Sequence, residues 1–120
     1  MSDFCPCASG KSFGECCEPF LLGREQALTA VALMRSRYTA YALGVIDYLY
    51  QSASARVRKE FDAESSRQWA KSAEWTGIEI LSTTGGTEED DTGLIEFIAH
   101  YKVKETEFNH HECAEFARVD

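Results

Sequence analysis

The stretch that decides the fold is Leu94-Ile-Glu-Phe-Ile-Ala-His-Tyr-Lys-Val-Lys-Glu105, in which apolar and polar side chains alternate. Successive side chains of a β-strand point to opposite faces of a sheet, so this alternation predicts a strand with one buried face. The predicted buried face consists of Ile95, Phe97, Ala99, Tyr101 and Val103. Residues 76–84 and 108–119 are predicted as two further strands, each separated from the central one by a short polar turn.

The residues before the strands have a helical period instead. From Glu25, apolar side chains recur at intervals of three and four, which predicts a helix of about five turns that Gly44 ends or bends. The stripe consists of Ala27, Val31, Met34, Tyr38, Tyr41 and Val45. A short second helix is predicted over residues 45–50.

A third helix is predicted over residues 60–75, capped near Asp62, with Phe61 and Trp69 as buried positions. Helices followed by strands predict an α+β fold, an antiparallel sheet with the N-terminal helices packed on one face. The first 23 residues lack a clean period and are too short to form an apolar core. Something other than apolar packing must therefore order them, and residues 20–22 are predicted to anchor them to the main domain.

Composition narrows the function classes. The chain has 120 residues, 44% of them hydrophobic and 27% charged, which is typical of one globular domain or a small domain with an appendage. The net charge of −8 argues against binding to a phosphate backbone, so no nucleic acid is expected as a partner. No membrane span is expected either, because no uncharged run approaches the length that a span needs.

Charge is distributed unevenly along the chain. Residues 1–71 carry nine Lys or Arg against eight Asp or Glu, whereas residues 72–120 carry three against twelve. Such an acidic half indicates a solvated face; the alternative is a docking surface for a basic partner. The N-terminal residues do not have the pattern of a secretory signal, so a cytoplasmic location is expected.

Four of the five cysteines lie close together in the sequence. Cys5, Cys7, Cys16 and Cys17 fall within 13 residues, whereas Cys113 is far downstream. Neighbouring cysteines do not readily form disulfides with each other, and a reducing compartment disfavours disulfides altogether. Four thiolates can instead complete the tetrahedral shell of a structural Zn²⁺. An iron centre, or four reduced thiols without metal, are the alternatives.

The cysteine stretch resembles a known zinc motif. Cys5-Pro-Cys-Ala-Ser-Gly-Lys-Ser-Phe-Gly-Glu-Cys-Cys17 is similar to the SEC-C motif, best known at the C-terminus of the SecA translocation ATPase. The resemblance implies one structural Zn²⁺ per chain, held by the four clustered cysteines. It also implies that Ser9 and Gly10 shape the loop and that Phe13 takes an aromatic packing position.

The resemblance continues beyond this motif. Four further stretches are similar to the bacterial YchJ family. They are residues 17–23, Ala27-Leu-Thr-Ala, Leu33-Met-Arg-Ser-Arg-Tyr-Thr-Ala-Tyr41 and His111-Glu-Cys-Ala-Glu-Phe116. This resemblance implies a SEC-C-like zinc knuckle over residues 1–23. It also implies a cone-like α+β domain over residues 24–120 that is similar to nuclear transport factor two. Family members usually continue into a closing strand beyond the end of this sequence, which implies either an exposed sheet edge available for pairing or a sequence that is cut short.

Polar residues near the helical stripe have two interpretations each. Arg35 and Arg37 either bind an anion at the mouth of the cone or are structural, with Asp47 or Glu64 as ion-pair partners. Tyr38 and Tyr41 are predicted to pack in the core. The alternative groups either tyrosine with Asp47 in a ligand pocket.

The histidines and Cys113 form no convincing catalytic set. His100 is predicted on the polar face of its strand, and His110 and His111 point to opposite faces. His111 and Cys113 share a face, but nucleophilic catalysis would also require an orienting group and a cleft. No catalytic residue is assigned.

The predicted function is therefore protein–protein interaction through a structural zinc knuckle. The SecA resemblance implies a partner linked to chaperone, secretion or translation function. The alternative is a small-molecule binding protein or enzyme that uses the cone pocket, and a third option is zinc or redox sensing by the thiolates.

Overall fold

The computed structural model describes residues 4–7, 9–53 and 58–117, and it contains a three-stranded antiparallel sheet with helices packed on one face. The elements in chain order are a 3-10 turn (Phe13–Glu15), α1 (Glu18–Leu21), α2 (Ala30–Leu43), α3 (Ile46–Gln51), α4 (Ala63–Ser72), β1 (Ala73–Gly85), β2 (Thr92–Val103) and β3 (Thr106–Ala117). The α+β prediction is confirmed.

The central strand β2 supplies the core face of the sheet. Its residues Ile95, Phe97 and Ala99 are buried, as the alternation predicted. The strand pairs with β1 on one side and with β3 on the other, both antiparallel. Within the described residues β3 has a strand partner on one side, so its other edge is open; the predicted end of this strand, residues 118–119, lies outside the described residues.

The long helix α2 packs on this sheet through the predicted stripe. Met34 and Tyr38 are buried against the residues of β1 and β2. The helix begins at Ala30 and not near Glu25, because the Thr29 backbone is extended and its Oγ1 accepts a hydrogen bond from the Ala32 N–H at 3.1 Å. It ends at Gly44, whose φ of 75° is the left-handed conformation typical of a helix C-terminus.

A second face of α2 is buried as well, and the apolar stripe does not include it. Ser36, Thr39 and Ala40 are each 0% exposed. The Ser36 hydroxyl donates to the Leu33 carbonyl at 2.7 Å and lies 2.6 Å from the Tyr48 hydroxyl of α3. Small side chains at intervals of three and four let neighbouring backbone approach this helix closely.

Helix α4 is shorter than predicted. Asp62 caps its start by accepting hydrogen bonds from the backbone N–H groups of Glu64 and Ser65, at 3.0 and 3.1 Å. It ends at Ser72, and the backbone is extended from Ala73 onward. The cap was predicted correctly, whereas the C-terminal boundary was wrong.

Trp75 is one of the residues wrongly assigned to α4, and it lies in β1 opposite Tyr101. Its ring contacts those of Tyr38 and Tyr41 on α2, with centroids 5.7 and 5.5 Å apart. Trp75 fills the space between helix and sheet, so tertiary packing selects the strand conformation there. Trp69, predicted to be buried, is 40% exposed.

The turn between β1 and β2 contacts the start of α2. The Ala30 N–H donates to the Gly86 carbonyl at 2.9 Å. Gly86 has a φ of 74°, and a Cβ there would lie 2.8 Å from the Ala30 Cβ. This close approach fixes the N-terminal end of α2 over the sheet.

Among the helices in the described part of the chain, none combines the length and the apolar character of a membrane span.

Candidate metal centre

A tight loop positions the first two cysteines. The Cys5 N–H donates to the Lys11 carbonyl at 2.9 Å, and Phe4 and Ser12 form an isolated antiparallel bridge. Gly10 turns the chain with a φ of 88°, which favours glycine. The described residues of the loop therefore fold back on themselves, and Gly10 has the shaping role that the resemblance implied.

Short helical turns position the second pair. The Cys16 N–H donates to the Phe13 carbonyl at 3.1 Å at the end of the 3-10 turn. Cys17 precedes α1, and its carbonyl accepts from the N–H groups of Phe20 and Leu21 at 3.0 and 3.1 Å. Phe13 packs against the same hydrophobic cluster as the cysteines, which is the packing position that the resemblance implied.

The sulfur atoms of the four clustered cysteines lie close together. The Sγ atoms of Cys5, Cys7, Cys16 and Cys17 all lie within 4.8 Å of one another. The Sγ of Cys16 is 3.6 Å from that of Cys7 and 3.8 Å from that of Cys17. A tetrahedral ion with metal–sulfur bonds of ~2.3 Å separates its sulfur ligands by about 3.8 Å, so the donor set fits one metal ion.

Electrostatics also favours a cation at this point. Hydrogen bonding, chiefly with Cys17, lowers the pKa of the Cys7 thiol to about 4. The same contact with Cys7 raises the pKa of Cys17, and burial raises that of Cys16. Crowded thiols thus share protons rather than ionise together, because neighbouring negative charges repel. A bound cation offsets this repulsion, so that all of the coordinating thiols can lose their protons.

The cluster belongs to the main hydrophobic core. Cys5, Cys7 and Cys17 are 3%, 0% and 1% exposed and pack in one cluster with residues of α2 and the sheet. Cys16 is half-buried, and the Ser9 hydroxyl lies 3.1 Å from its sulfur. The boundary predicted between residues 23 and 24 stays a prediction, but apolar packing continues across it.

Two residues of α2 that the sequence did not assign to the site hold it in place. The Thr39 Oγ1 donates to the Cys17 Sγ at 3.4 Å and lies 3.5 Å from the Cys5 Sγ. The Arg35 guanidinium donates to the Cys7 carbonyl at 2.5 Å. The signal that could have found Thr39 is the second buried face of α2, with small residues at helical spacing.

The contact of Arg35 with Cys7 supports its structural interpretation. Arg37 likewise donates to the Leu49 carbonyl at 2.9 Å and to the Ser52 hydroxyl at 2.5 Å. Burial lowers the pKa of Arg37. Both guanidinium groups thus donate to uncharged carbonyl or hydroxyl oxygens. Of the two acids named as ion-pair partners, Glu64 instead pairs with Arg67 at 2.8 Å and Asp47 is exposed.

The tyrosines pack in the core as predicted. The Tyr38 hydroxyl accepts from the Gly77 N–H at 2.7 Å and donates to the His100 carbonyl at 3.4 Å, and burial raises its pKa to about 12. Tyr41 stacks at a tilt on Trp75. Asp47 lines a surface depression of about 280 Å³ to which neither tyrosine contributes, so the Asp47–tyrosine group is not assembled.

The histidines lie on the sheet, each beside a carboxylate. On the outer face, His100 contacts Glu79 at 3.1 Å and His111 contacts Glu96 at 2.7 Å. His110 lies on the opposite face, as predicted, and contacts Glu112 at 2.8 Å. Cys113 is exposed in β3 opposite Glu96, on an open sheet face rather than in the cleft that a nucleophile requires.

The fold and the thiol cluster together define a SEC-C motif joined to an NTF2-like domain. The SEC-C motif model matches residues 1–19, and the model described as the YchJ middle NTF2-like domain matches residues 29–120. The chain belongs to the YchJ family.

Relatives and solved structures agree with this assignment. A UPF0225 protein of Geobacter sulfurreducens is 50% identical over the whole chain, which spans 74% of that protein. One of Actinobacillus succinogenes is 35% identical over the whole chain and 77% of its own length.

The solution structure of a SEC-C motif containing protein from Rhodopseudomonas palustris has a TM-score of 0.88 at 33% identity, covering 99% of this chain and 90% of that one. The crystal structure of a sec-c motif containing protein from Psychrobacter arcticus has a TM-score of 0.85 at 26% identity, covering 96% and 72%. Both therefore resemble this chain across the thiol cluster and the sheet.

Proposed function

We propose that the protein binds one structural Zn²⁺ through Cys5, Cys7, Cys16 and Cys17 and uses the resulting knuckle to contact a protein partner. The observation that carries the metal site is the meeting of four sulfur atoms within 4.8 Å in a SEC-C motif. Four protein ligands fill a tetrahedral shell and leave no position for water or substrate, so the role is structural and not catalytic.

The distances between the sulfur atoms support a single ion such as zinc over an iron–sulfur cluster. Four thiolates in tetrahedral arrangement suit Zn²⁺ or iron. A cluster with several irons and bridging sulfides would hold the cysteine sulfurs farther apart than the 3.6 and 3.8 Å found between neighbouring pairs. We propose a cytoplasmic location as well, because thiols stay reduced and available for metal there.

Exposed apolar side chains near the knuckle support the partner role. Phe4, Leu22 and Leu28 are 69%, 56% and 54% exposed. Exposed apolar side chains that form one contiguous patch are typical of interaction surfaces, so these three are the residues to test for partner contact. The SEC-C motif suggests a partner linked to chaperone, secretion or translation function, by analogy with the motif's place in SecA.

The metal is tested by elemental analysis with thiol titration of the protein purified without oxygen. We expect one zinc per chain, four thiols protected and Cys113 reactive, because Cys113 is exposed and outside the cluster. Absence of metal, or protection of fewer than four thiols, would sink the zinc assignment.

The partner surface is tested separately by photo-crosslinking in cells. A crosslinkable residue replaces Leu22, and a matched control replaces Leu94, which is exposed on the sheet. We expect a discrete crosslinked protein from position 22, absent from position 94, that disappears when Cys16→Ser removes a ligand. Equal products from both positions would contradict the knuckle as the interaction surface.

A further inference from the structure

We propose that Thr39 is a positioning residue for the metal centre, whose hydroxyl links the two halves of the cysteine motif and sets how tightly the ion is held. This inference rests on the proposed metal-binding function. Thr39 lies in the middle of α2, 34 residues from Cys5 and 22 from Cys17 in sequence. It is fully buried beside both sulfurs.

The Thr39 hydroxyl makes unusual contacts for a helical residue. Serine and threonine within helices often donate to the carbonyl three or four residues earlier, as Ser36 does to Leu33 at 2.7 Å. The contacts found for the Thr39 Oγ1 are instead with the Cys17 Sγ at 3.4 Å and the Cys5 Sγ at 3.5 Å. The Thr39 hydroxyl is therefore positioned to donate its hydrogen bond to a cysteine sulfur and not to the helix backbone.

Metal binding strengthens the reason for this arrangement. Coordinated cysteines are thiolates, which accept hydrogen bonds but have no proton to donate, so the single Thr39 proton is directed to sulfur. A centre with Zn²⁺ and four thiolates carries excess negative charge, which hydrogen bonds to sulfur partly offset. Cys5 belongs to the first pair of the motif and Cys17 to the second, so one side chain orients ligands from both.

Burial makes the hydroxyl difficult to replace. Thr39 and Cys17 are 0% and 1% exposed, so a water molecule from bulk solvent cannot readily take over the lost hydrogen bond. Removing a group that orients ligands in this way typically reduces metal affinity by about 10- to 100-fold. We expect a loss of that size when the Thr39 hydroxyl is removed.

The test compares four variants of the full chain. Thr39→Val removes the hydroxyl at constant shape, and Thr39→Ala removes it with less bulk in case valine does not fit beside the sulfurs. Thr39→Ser keeps the hydroxyl. Ser36→Ala is the matched control, because Ser36 is an equally buried hydroxyl on the same helix whose partners are Leu33 and Tyr48.

Each variant is loaded with Co²⁺ without oxygen, and the sulfur-to-cobalt charge-transfer band is recorded. Zn²⁺ affinity is measured by competition with a chromogenic chelator. Thr39→Val and Thr39→Ala should shift the band and lose about 10- to 100-fold in affinity, whereas Thr39→Ser should restore wild-type values. Ser36→Ala should lower thermal stability and leave the band and the affinity unchanged.

The outcomes separate the two proposals. A wild-type protein that binds neither ion overturns the metal site and the role of Thr39 with it. A wild-type protein that binds metal, with Thr39→Val and Thr39→Ala matching it in both band and affinity, overturns the role of Thr39 alone. An affinity loss without a shift of the band would likewise contradict a direct action on the sulfurs.

Discussion

The Arg35 Nη1 donates a hydrogen bond to the carbonyl oxygen of Cys7, across 28 residues of sequence. This contact joins the cysteine loop to the long helix of the NTF2-like domain. Together with the burial of Cys5, Cys7 and Cys17 in the main core, it connects the thiol cluster to the helix and the sheet by direct packing.

Replacement of Arg35 should therefore destabilise the whole protein. Arg35→Met keeps the aliphatic stem but leaves the Cys7 carbonyl without its charged donor. Hydrogen bonds to charged groups contribute about 1.5–3 kcal/mol, and we expect a loss of that order in the free energy of unfolding in urea.

The matched control for Arg35→Met is Arg67→Met, because Arg67 pairs with Glu64 on the exposed surface of α4. Surface pairs contribute ~0–1 kcal/mol, so this variant should stay close to wild type. Equal losses in the two variants would show that the contact with Cys7 contributes nothing specific.

Removal of the metal should affect the sheet and not the loop alone. The cysteines pack in one cluster with Met34, Tyr38, Ile95 and Phe97. Metal binding to a site that exists only in the folded state contributes to the free energy of folding. We expect chelator to lower the melting temperature of the single calorimetric transition, and re-addition of Zn²⁺ to restore it. A sheet transition at unchanged temperature after metal loss would argue for an independent knuckle.

A side chain at position 86 should destabilise the protein. Its φ of 74° disfavours other residues, and an added Cβ would lie 2.8 Å from the Ala30 Cβ at the start of α2. Gly86→Ala should cost about 1–3 kcal/mol through overpacking, measured by urea unfolding. The control is Gly23→Ala, where φ is also positive but an added Cβ meets nothing within 4 Å. If both variants lost the same stability, backbone conformation alone would account for the effect.

His100 on the outer sheet face should have a raised pKa. Hydrogen bonds with Asn109 and then Glu79 raise the pKa of His100 above 6.5. Because the folded-state pKa is the higher one, the stabilising contribution is present below pH 6.5 and disappears as pH rises through the folded-state pKa. NMR titration should find that Asn109→Ala and Glu79→Gln each lower this pKa. Glu112→Gln, which changes a carboxylate beside His110 on the opposite face, should leave the pKa of His100 unchanged. A shift of the His100 pKa in this variant would mean a general charge effect.

The sequence predicted those parts of the fold that have a clear period. Alternation identified β2, and the stripe through Met34 and Tyr38 identified the sheet-facing side of α2. The boundaries failed where another interaction decided them: the Thr29 cap moved the start of α2, and aromatic packing drew Trp75 into β1.

The four ligands of the candidate site could be predicted from the sequence, whereas the residues that surround them could not. Spacing and motif grouped the four cysteines, and the structure brings their sulfurs together. Thr39 was missed because a polar residue outside the apolar stripe is ordinarily solvated, and its burial depends on long-range packing of the cysteine loop against α2. The small residues at helical spacing indicate that this face of α2 can be buried, but they do not indicate that the cysteine loop is what covers it.

Native mass spectrometry of the protein purified without oxygen tests the central claim most directly. It weighs the bound ion and counts the thiol protons that leave when the ion binds. We predict one zinc per chain with all four clustered thiols deprotonated, and loss of that zinc in Cys16→Ser but not in Cys113→Ser. A metal-free chain, or zinc retained after Cys16→Ser, would contradict the four-thiolate centre.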